Sequence, residues 1–173
     1  TTGHWNRFHE GCAFDGDTPH YEGIADLARR SAGSAVASMR VALSGKRVFS
    51  LMRPPGHHAT VDQAMGFCYL SNVAIAALAA RNEGVERVVV WDFDAHHGNG
   101  TEAILQGVPG IRFVSVHQYP GYPGTGAAPF ENCFNYPVRP ETPPRDHMDT
   151  LRISWGDVLA FEPDMILVSA GFD

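Results

Sequence analysis

Carboxylate and imidazole side chains are concentrated in one short stretch of this sequence, residues 88–101. The stretch opens with the run Val88-Val89-Val90-Trp91 and continues as Asp92-Phe93-Asp94-Ala95-His96-His97. The apolar, β-branched run is typical of a strand that is buried on both faces. Burying an unpaired carboxylate costs several kcal/mol, so Asp92 and Asp94 need a cation or the neighbouring imidazoles as partners. The stretch therefore predicts a metal site.

The spacing of Asp94 and His96 suits a single ion. Side chains two residues apart in extended backbone point the same way, so both can bind one cation. A third ligand from another strand end would leave an open coordination position, as catalytic zinc requires, and Asp173 also ends an apolar strand. This donor set favours Zn²⁺, with Fe²⁺ as the alternative. The competing interpretation is that Asp94 and His96 only cap the helix that follows.

A second histidine pair, His57-His58, follows the turn Arg53-Pro54-Pro55-Gly56. A neutral imidazole near pH 7 can take a proton from a metal-activated water and return it to a leaving amine. Asp92 would orient one of these imidazoles, although a buried N-cap is the alternative role for it. The two pairs together indicate hydrolysis by metal-activated water.

The segments that must position these residues alternate between helix and strand. Apolar periodicity predicts helices over residues 18–45, 71–81, 102–106 and 145–161, the first with Thr18 as its N-cap. Apolar runs predict strands over residues 47–52, 86–92, 111–117, 132–138 and 165–171. This alternation predicts an α/β fold, with a parallel sheet and helices on both faces. Ligands collect at the carboxyl ends of such strands, so the polar clusters should share one rim.

Composition narrows the class of protein. The chain has 173 residues, 44% of them hydrophobic, which suits one domain over residues 1–173. The net charge is −6 and the sequence has no run of basic residues, so it does not predict direct nucleic-acid binding. There is no apolar run of membrane-spanning length and no secretory signal, and three scattered cysteines fit a reducing compartment, the cytoplasm or a eukaryotic nucleus. The first residue, Thr1, and the strand that stops at Asp173 lead us to expect a fragment of a longer protein.

Five separated motifs resemble the histone deacetylase family, which includes bacterial relatives and acetylpolyamine amidohydrolases. They are Asp17-Thr18-Pro19, Arg53-Pro54-Pro55-Gly56-His57-His58-Ala59, Gly66-Phe67-Cys68-Tyr69, Asp92-Phe93-Asp94-Ala95-His96-His97-Gly98-Asn99-Gly100-Thr101 and Ser169-Ala170-Gly171-Phe172-Asp173. Their order matches the family, and the proline-proline-glycine turn resembles class II more than class I. The resemblance implies an arginase/deacetylase-like fold.

The resemblance also implies roles for the polar residues. The positions that match its zinc ligands are Asp94, His96 and Asp173. His57 and His58 match the tandem catalytic histidines, of which the second is generally given the acid and base role and the first an electrostatic one. Asp92 matches the carboxylate that supports His57. Asn99 stands where some members place an aspartate behind the second histidine, which should make His58 less basic.

Substrate-binding positions follow from the same resemblance. Asp17 matches a rim aspartate that holds the substrate backbone. Gly66, Phe67 and Tyr122 match the walls of the tunnel for the acyl-lysine stem. Positions around a structural K⁺ ion are matched by Asp92, Asp94, His96 and Ser115. The family's transition-state hydrogen-bond donor lies beyond the motif that ends at Asp173, so this sequence does not contain it.

The function expected from residues and resemblance is zinc-dependent removal of acetyl or a related acyl group from acetyl-lysine in proteins such as histones. Three alternatives stay open. One is a hydrolase for acetylated polyamines or other small amides, which the acidic rim would also suit. Another is an arginase-like binuclear manganese hydrolase, although Gly98 stands where its second metal would need an aspartate. The last is a deacetylase-like domain that binds partners without catalysis.

Overall fold

A four-stranded parallel sheet forms the centre of the chain. The computed structural model describes residues 13–172. Its strands are β1 (Val88–Asp92), β2 (Ile111–Gln118), β3 (Cys133–Val138) and β4 (Met165–Ser169), in the order β3-β2-β1-β4. Asp92, the last residue of β1, lies opposite Ser115 on β2 and Ser169 on β4. Because every pairing in this sheet is parallel, the carboxyl ends of its strands share one edge.

Four helices cover the two faces of the sheet. They are α1 (Ile24–Ala42), α2 (Asn72–Asn82), α3 (Asn99–Leu105) and α4 (Pro144–Ala160). Residues of α1, α2 and α3 pack with Val88 and Val90 in one apolar core, whereas Val158 of α4 packs with Val89 on the other face. Burial of both faces is the reason the apolar run of β1 does not alternate with polar residues. The predicted parallel sheet with helices on both faces is confirmed.

The first helix begins later than predicted. Thr18 is buried but caps no helix, because its hydroxyl oxygen accepts a hydrogen bond from the backbone N–H of Phe67 at 3.1 Å. The helix starts at Ile24 after Gly23, which adopts a left-handed φ of +82°. Thr18 has therefore been drawn into a tertiary contact that its sequence neighbourhood does not reveal, and the predicted N-cap is wrong.

The predicted strand over residues 47–52 is also wrong. This segment has no regular structure, and four of its apolar side chains, those of Val48, Phe49, Leu51 and Met52, are exposed. A strand requires a hydrogen-bonded neighbour, and β4 is the edge of the described sheet on this side. A cavity of about 1380 Å³ is lined both by residues 46–53 and by residues 166–172. The segment consequently lacks a described strand to pair with.

The other predicted elements lie close to the observed ones. The predicted helices over 71–81 and 145–161 correspond to α2 and α4, and the predicted strand over 132–138 is β3. The short helix predicted over 102–106 begins earlier, at Asn99. Within residues 13–172, no helix combines the length and the apolar character needed to cross a membrane.

Candidate active site

The amino terminus of α3 holds His57 in place. The His57 carbonyl oxygen accepts hydrogen bonds from the backbone N–H groups of Gly100 at 2.9 Å and Thr101 at 3.0 Å. Gly100 permits this approach, since a Cβ there would overlap the carbonyl of Ala59. His57 and His58 were expected at the carboxyl end of a strand. They instead reach the rim of the sheet because α3 fixes the loop that carries them.

The two imidazoles lie side by side with different partners. Their ring centroids are 3.9 Å apart, and both side chains are buried. The Nδ1–H of His57 donates to Asp92 Oδ2 at 3.0 Å, and the Nδ1–H of His58 donates to Asn99 Oδ1 at 2.8 Å. We assign these tautomers because each ring faces a carbonyl-type or carboxylate oxygen, which can only accept. In neutral His58, Nε2 therefore carries the lone pair.

His58 is neutral at pH 7. Burial lowers the pKa of His58 to about 4, and the neighbouring His57 and His96 act in the same direction. The hydrogen bond to Asn99 favours the charged form but does not cancel these effects. Burial is the largest cause of this low pKa. The expectation that Asn99 makes His58 less basic than an aspartate would stays a prediction.

Asp94 and His96 lie together in the loop after β1. Asp94 Oδ1 accepts a hydrogen bond from the backbone N–H of His96 at 2.8 Å and lies 3.3 Å from Nδ1 of the same residue. His57 Nε2 is 3.9 Å from the same carboxylate oxygen. The competing helix-cap interpretation is wrong for Asp92, Asp94 and His96 within the described part of the chain. The N-cap of α3 is Gly98, and no side chain bonds to it as a cap.

The third predicted metal ligand, Asp173, lies outside the described residues. Among residues 13–172, no three carboxylate, imidazole or thiolate side chains form a group that could hold a metal. The backbone does bring the end of the chain to the site, since a Cβ on Gly171 would overlap the Asp94 carboxylate. Asp94 and His96 supply a carboxylate and an imidazole, and both of these groups fit the donor chemistry of Zn²⁺.

An aromatic wall flanks the tandem histidines. The Tyr122 ring meets the His58 ring edge-on, with centroids 5.0 Å apart, and also approaches the ring of His96 at 6.0 Å. Gly66 fits between them, because a Cβ there would lie 2.6 Å from His58 Cδ2 and 2.9 Å from the Tyr122 hydroxyl oxygen. Phe67 follows with a left-handed φ of +62°, uncommon for a bulky residue. These predicted substrate-binding residues line one cavity with His57, His58 and Asp94.

Asp17 lines the same cavity. Its backbone N–H donates to Asp15 Oδ1 at 3.0 Å, and Asp15 Oδ2 accepts from the Gly66 N–H at 3.2 Å. Burial raises the pKa of Asp15, but hydrogen bonds from Thr18, Asp17 and Gly66 outweigh burial and leave that pKa below its usual value. Sequence reasoning missed Asp15, although an aspartate two residues before a backbone donor is typical of an Asx-turn.

Two further residues, Ser115 and His97, do not line the cavity. Ser115, predicted at a structural K⁺ site, is buried, and its hydroxyl lies 2.9 Å from His117 Nδ1. The K⁺ site stays a prediction. His97, which sequence reasoning left without a role, is completely buried and bonds away from the cavity, to Thr125 and Glu102. Only the tertiary contacts could have identified it.

Comparison with known proteins gives consistent results. A family model described as the histone deacetylase domain matches residues 2–173. The histone deacetylase-like amidohydrolase of Pseudomonas aeruginosa is 40% identical over 169 residues, which cover 91% of this chain and 44% of that protein.

Two solved structures share the fold. The crystal structure of the HDA15 HD domain matches with a TM-score of 0.92 and 35% identity, covering 100% of this chain and 56% of that one. The acetylpolyamine aminohydrolase from Burkholderia pseudomallei matches with a TM-score of 0.85 and 34% identity, covering 94% and 50%. The predicted arginase/deacetylase-like fold is confirmed, and the chain spans about half the length of these relatives.

Proposed function

This chain belongs to the histone deacetylase family, and from that premise we propose that the protein carrying it is a zinc-dependent amidohydrolase. Its substrate is the acetyl amide of a lysine side chain in a protein such as a histone. We assign residues 1–173 to one catalytic domain, of which they contribute the tandem histidines and three metal ligands. The rest of the relatives' length corresponds to sequence that this chain does not include.

One observation carries the proposal: two adjacent imidazoles have unlike partners. His57 is paired with the carboxylate of Asp92, whereas His58 is paired with the uncharged Asn99. A negative partner favours a charged imidazole, and a neutral partner in a buried site favours an uncharged one. The pair thus suits one electrostatic group and one base.

The metal would be held by Asp94 and His96, together with Asp173. When bound, Zn²⁺ polarises an amide carbonyl and makes water acidic enough to act as a nucleophile near neutral pH. Fe²⁺ is the alternative for this donor set. A structural K⁺ near Asp92, Asp94, His96 and Ser115 belongs to the same proposal.

The proton transfers fall to His58. Its Nε2 accepts a proton from the attacking water as the oxygen bonds to the acetyl carbon, and then gives that proton to the departing amine nitrogen. The C–N bond breaks, and acetate and a free amine leave. His57, hydrogen-bonded to Asp92, stabilises charge beside the reacting carbon. Phe67 and Tyr122 enclose the lysine stem and exclude bulk water.

A second candidate substrate is an acetylated polyamine. One of the solved structures to which this chain is similar is an acetylpolyamine aminohydrolase from Burkholderia pseudomallei. The acidic side chains of Asp15 and Asp17 lie near the Gly66-Phe67 wall, and the net charge of the chain is −6. Both features would attract a polycation as well as a lysine-rich peptide.

The test combines metal analysis with acetate release from an acetyl-lysine peptide and from acetylspermidine. In the protein that carries this chain, Asp94→Ala should abolish both zinc content and acetate release. The matched control Asp149→Ala removes an exposed carboxylate of α4 and should change neither. Retention of zinc and turnover in Asp94→Ala would contradict the metal assignment. A wild-type protein that binds zinc but releases no acetate from either substrate would be a binding domain without catalysis.

A further inference from the structure

Four polar side chains from separate parts of the fold meet behind the tunnel wall. We call His97, Glu102, Thr125 and Asn135 the buried network after its two buried members, His97 and Asn135; the Glu102 side chain is 22% exposed, and Thr125 lies at the exposed end of the network. His97 Nδ1 lies 2.7 Å from the Thr125 hydroxyl oxygen, and His97 Nε2 lies 3.3 Å from Glu102 Oε2. Asn135 Nδ2 donates to the same Glu102 oxygen at 2.5 Å. The proposed chemistry uses none of these groups, so their arrangement needs a separate explanation.

The donors and acceptors of the buried network fit together except at Asn135, whose buried Oδ1 has no hydrogen-bond partner among the described residues. Burial raises the pKa of Glu102, but hydrogen bonds from His97 and Asn135 outweigh burial and keep that pKa below its usual value. Glu102 is therefore a carboxylate and can only accept. His97 Nε2–H then donates to Glu102, and His97 Nδ1 forms a hydrogen bond with the Thr125 hydroxyl. Thr125 is thus tied through one imidazole to α3, and through Glu102 and Asn135 to β3.

The chain around Thr125 is held by further contacts. We call residues 119–128, which connect β2 towards β3, the Tyr122 loop. His117 Nε2 donates to the Gly126 carbonyl oxygen at 3.0 Å, and Asn135 Nδ2 donates to the Ala128 carbonyl oxygen at 3.1 Å. Gly126 is needed there, since a Cβ would lie 2.7 Å from His97 Cδ2. Polar bonds therefore clamp the carboxyl-terminal half of the Tyr122 loop.

The other half of the Tyr122 loop, residues 119–124, is exposed or only partly buried, and it is tied to the end of β3 by a hydrogen bond from the Tyr119 N–H to the Val138 carbonyl oxygen at 2.8 Å. Residues 119–124 contain two prolines and two glycines, and Tyr122 is 39% exposed. The turn is closed locally by a hydrogen bond from the Gly124 N–H to the Gly121 carbonyl oxygen at 2.7 Å. Few apolar contacts can fix such a segment, so its placement depends on its polar anchors. This half of the loop carries the Tyr122 ring, whose centroid lies 5.0 Å from that of the His58 ring.

We propose that the buried network is a positioning device that holds the Tyr122 loop against the tandem histidines and so sets substrate affinity. The proposal rests on the proposed function in assigning Tyr122 to the wall that encloses the substrate stem. His97, Glu102, Thr125 and Asn135 are positioning residues, since they act through Tyr122 and do not touch the reacting atoms. Loosening the loop should weaken substrate binding and leave proton transfer by His58 unchanged.

Thr125→Val tests this in the protein that carries this chain. The substitution keeps the shape of the side chain but removes the hydroxyl that bonds to His97. A net hydrogen bond contributes about 1 kcal/mol, so we expect KM for an acetyl-lysine peptide to rise about fivefold with kcat unchanged. Thr125→Ser restores a hydroxyl and should restore KM. Thr150→Val, which removes a comparable hydroxyl from α4, should leave KM at its wild-type value.

Hydrogen exchange supplies a readout that does not need activity. Backbone amides of residues 119–126 should exchange several-fold faster in Thr125→Val than in wild type, and Thr125→Ser should reverse this. Unchanged KM together with unchanged exchange would overturn the inference, as would a fall in kcat without a change in KM. If the wild-type protein hydrolyses neither substrate, the proposed function fails, and the exchange rates alone decide whether the network holds the loop.

Discussion

The two histidine pairs of this chain are identical as dipeptides but are used in opposite ways. His57 and His58 lie side by side, both next to the cavity, with their rings 3.9 Å apart. His96 and His97 diverge. The His96 side chain is 38% exposed beside Asp94, whereas that of His97 is fully buried against Thr125 and Glu102.

The backbone around each pair explains the difference. The carbonyl of His57 is bonded to the start of α3, which turns both imidazoles of that pair to the same side. The second pair lies in the short loop between β1 and α3, where Asp94 holds the backbone N–H of His96. Adjacent residues of an extended or turning loop point to different sides, so His97 enters the core. A His-His dipeptide by itself therefore does not reveal which imidazole does chemistry.

The largest effect should come from the first pair. His58→Ala removes the proposed base, so hydrolysis of an acetyl-lysine peptide at pH 7 should fall by about 10²–10⁴-fold, with zinc content unchanged. Steady-state kinetics and metal analysis measure the two quantities. His147→Ala on α4 is the matched control and should keep wild-type activity. Full activity in His58→Ala would place the base elsewhere and remove the functional difference between the pairs.

Changes around the second histidine pair, His96-His97, should alter the free energy of unfolding and leave the hydrolysis rate unchanged. His117 packs against His97 with ring centroids 4.5 Å apart, and burial, assisted by His97, lowers the pKa of His117 to about 4. In the unfolded chain a histidine has a pKa of about 6.5, so below that pH the unfolded state binds the extra proton. The stability that neutral His117 contributes is therefore complete above pH ~6.5 and is lost as the pH falls towards ~4.

Denaturant unfolding at several pH values tests this. Between pH 7 and 5, wild-type stability should decrease by up to about 2 kcal/mol through this group, and His117→Gln should show a flatter slope. His147→Gln, at a partly exposed position of α4, should keep the wild-type slope. Equal slopes in all three proteins would mean that His117 is not the group responsible.

The smallest expected effect concerns the different hydrogen-bond partners of His57 and His58. Asn99→Asp places a carboxylate on Nδ1 of His58, which should raise the pKa of His58 by about 1 unit. The acidic limb of the kcat/KM profile should move up by the same amount, giving about tenfold lower activity on that limb. The control Asn82→Asp makes the same charge change at an exposed position of α2. A profile that stays in place would show that the partner of His58 does not set its basicity.

Secondary structure was predicted correctly where a local apolar pattern follows from which face of the element is buried. The runs that became β1 and β2 and the patterns that became α2 and α4 are long and regular, and the structure places them within a few residues of the prediction. Prediction failed for residues 47–52, where a strand needs a neighbour that local sequence does not specify. It also failed for Thr18, whose hydroxyl bonds to Phe67, 49 residues away.

The candidate site shows the same division. The motifs identified His57, His58, Asp92 and Asn99, and the structure brings these side chains into two hydrogen-bonded pairs. The motifs did not identify Asp15, which bonds to the Gly66 N–H, or the buried network. Those residues carry no distinctive spacing, because their partners come from distant segments.

The sequence alone determined which chemical groups are present and which segments are apolar enough to form a buried parallel sheet. This was possible because buried segments differ from exposed ones in their local pattern of residue types. Tertiary structure decided which imidazole faces the cavity and which one enters the core. Side-chain direction depends on the path of the backbone, and that path is set by contacts such as the one between His57 and α3, which join residues about forty positions apart.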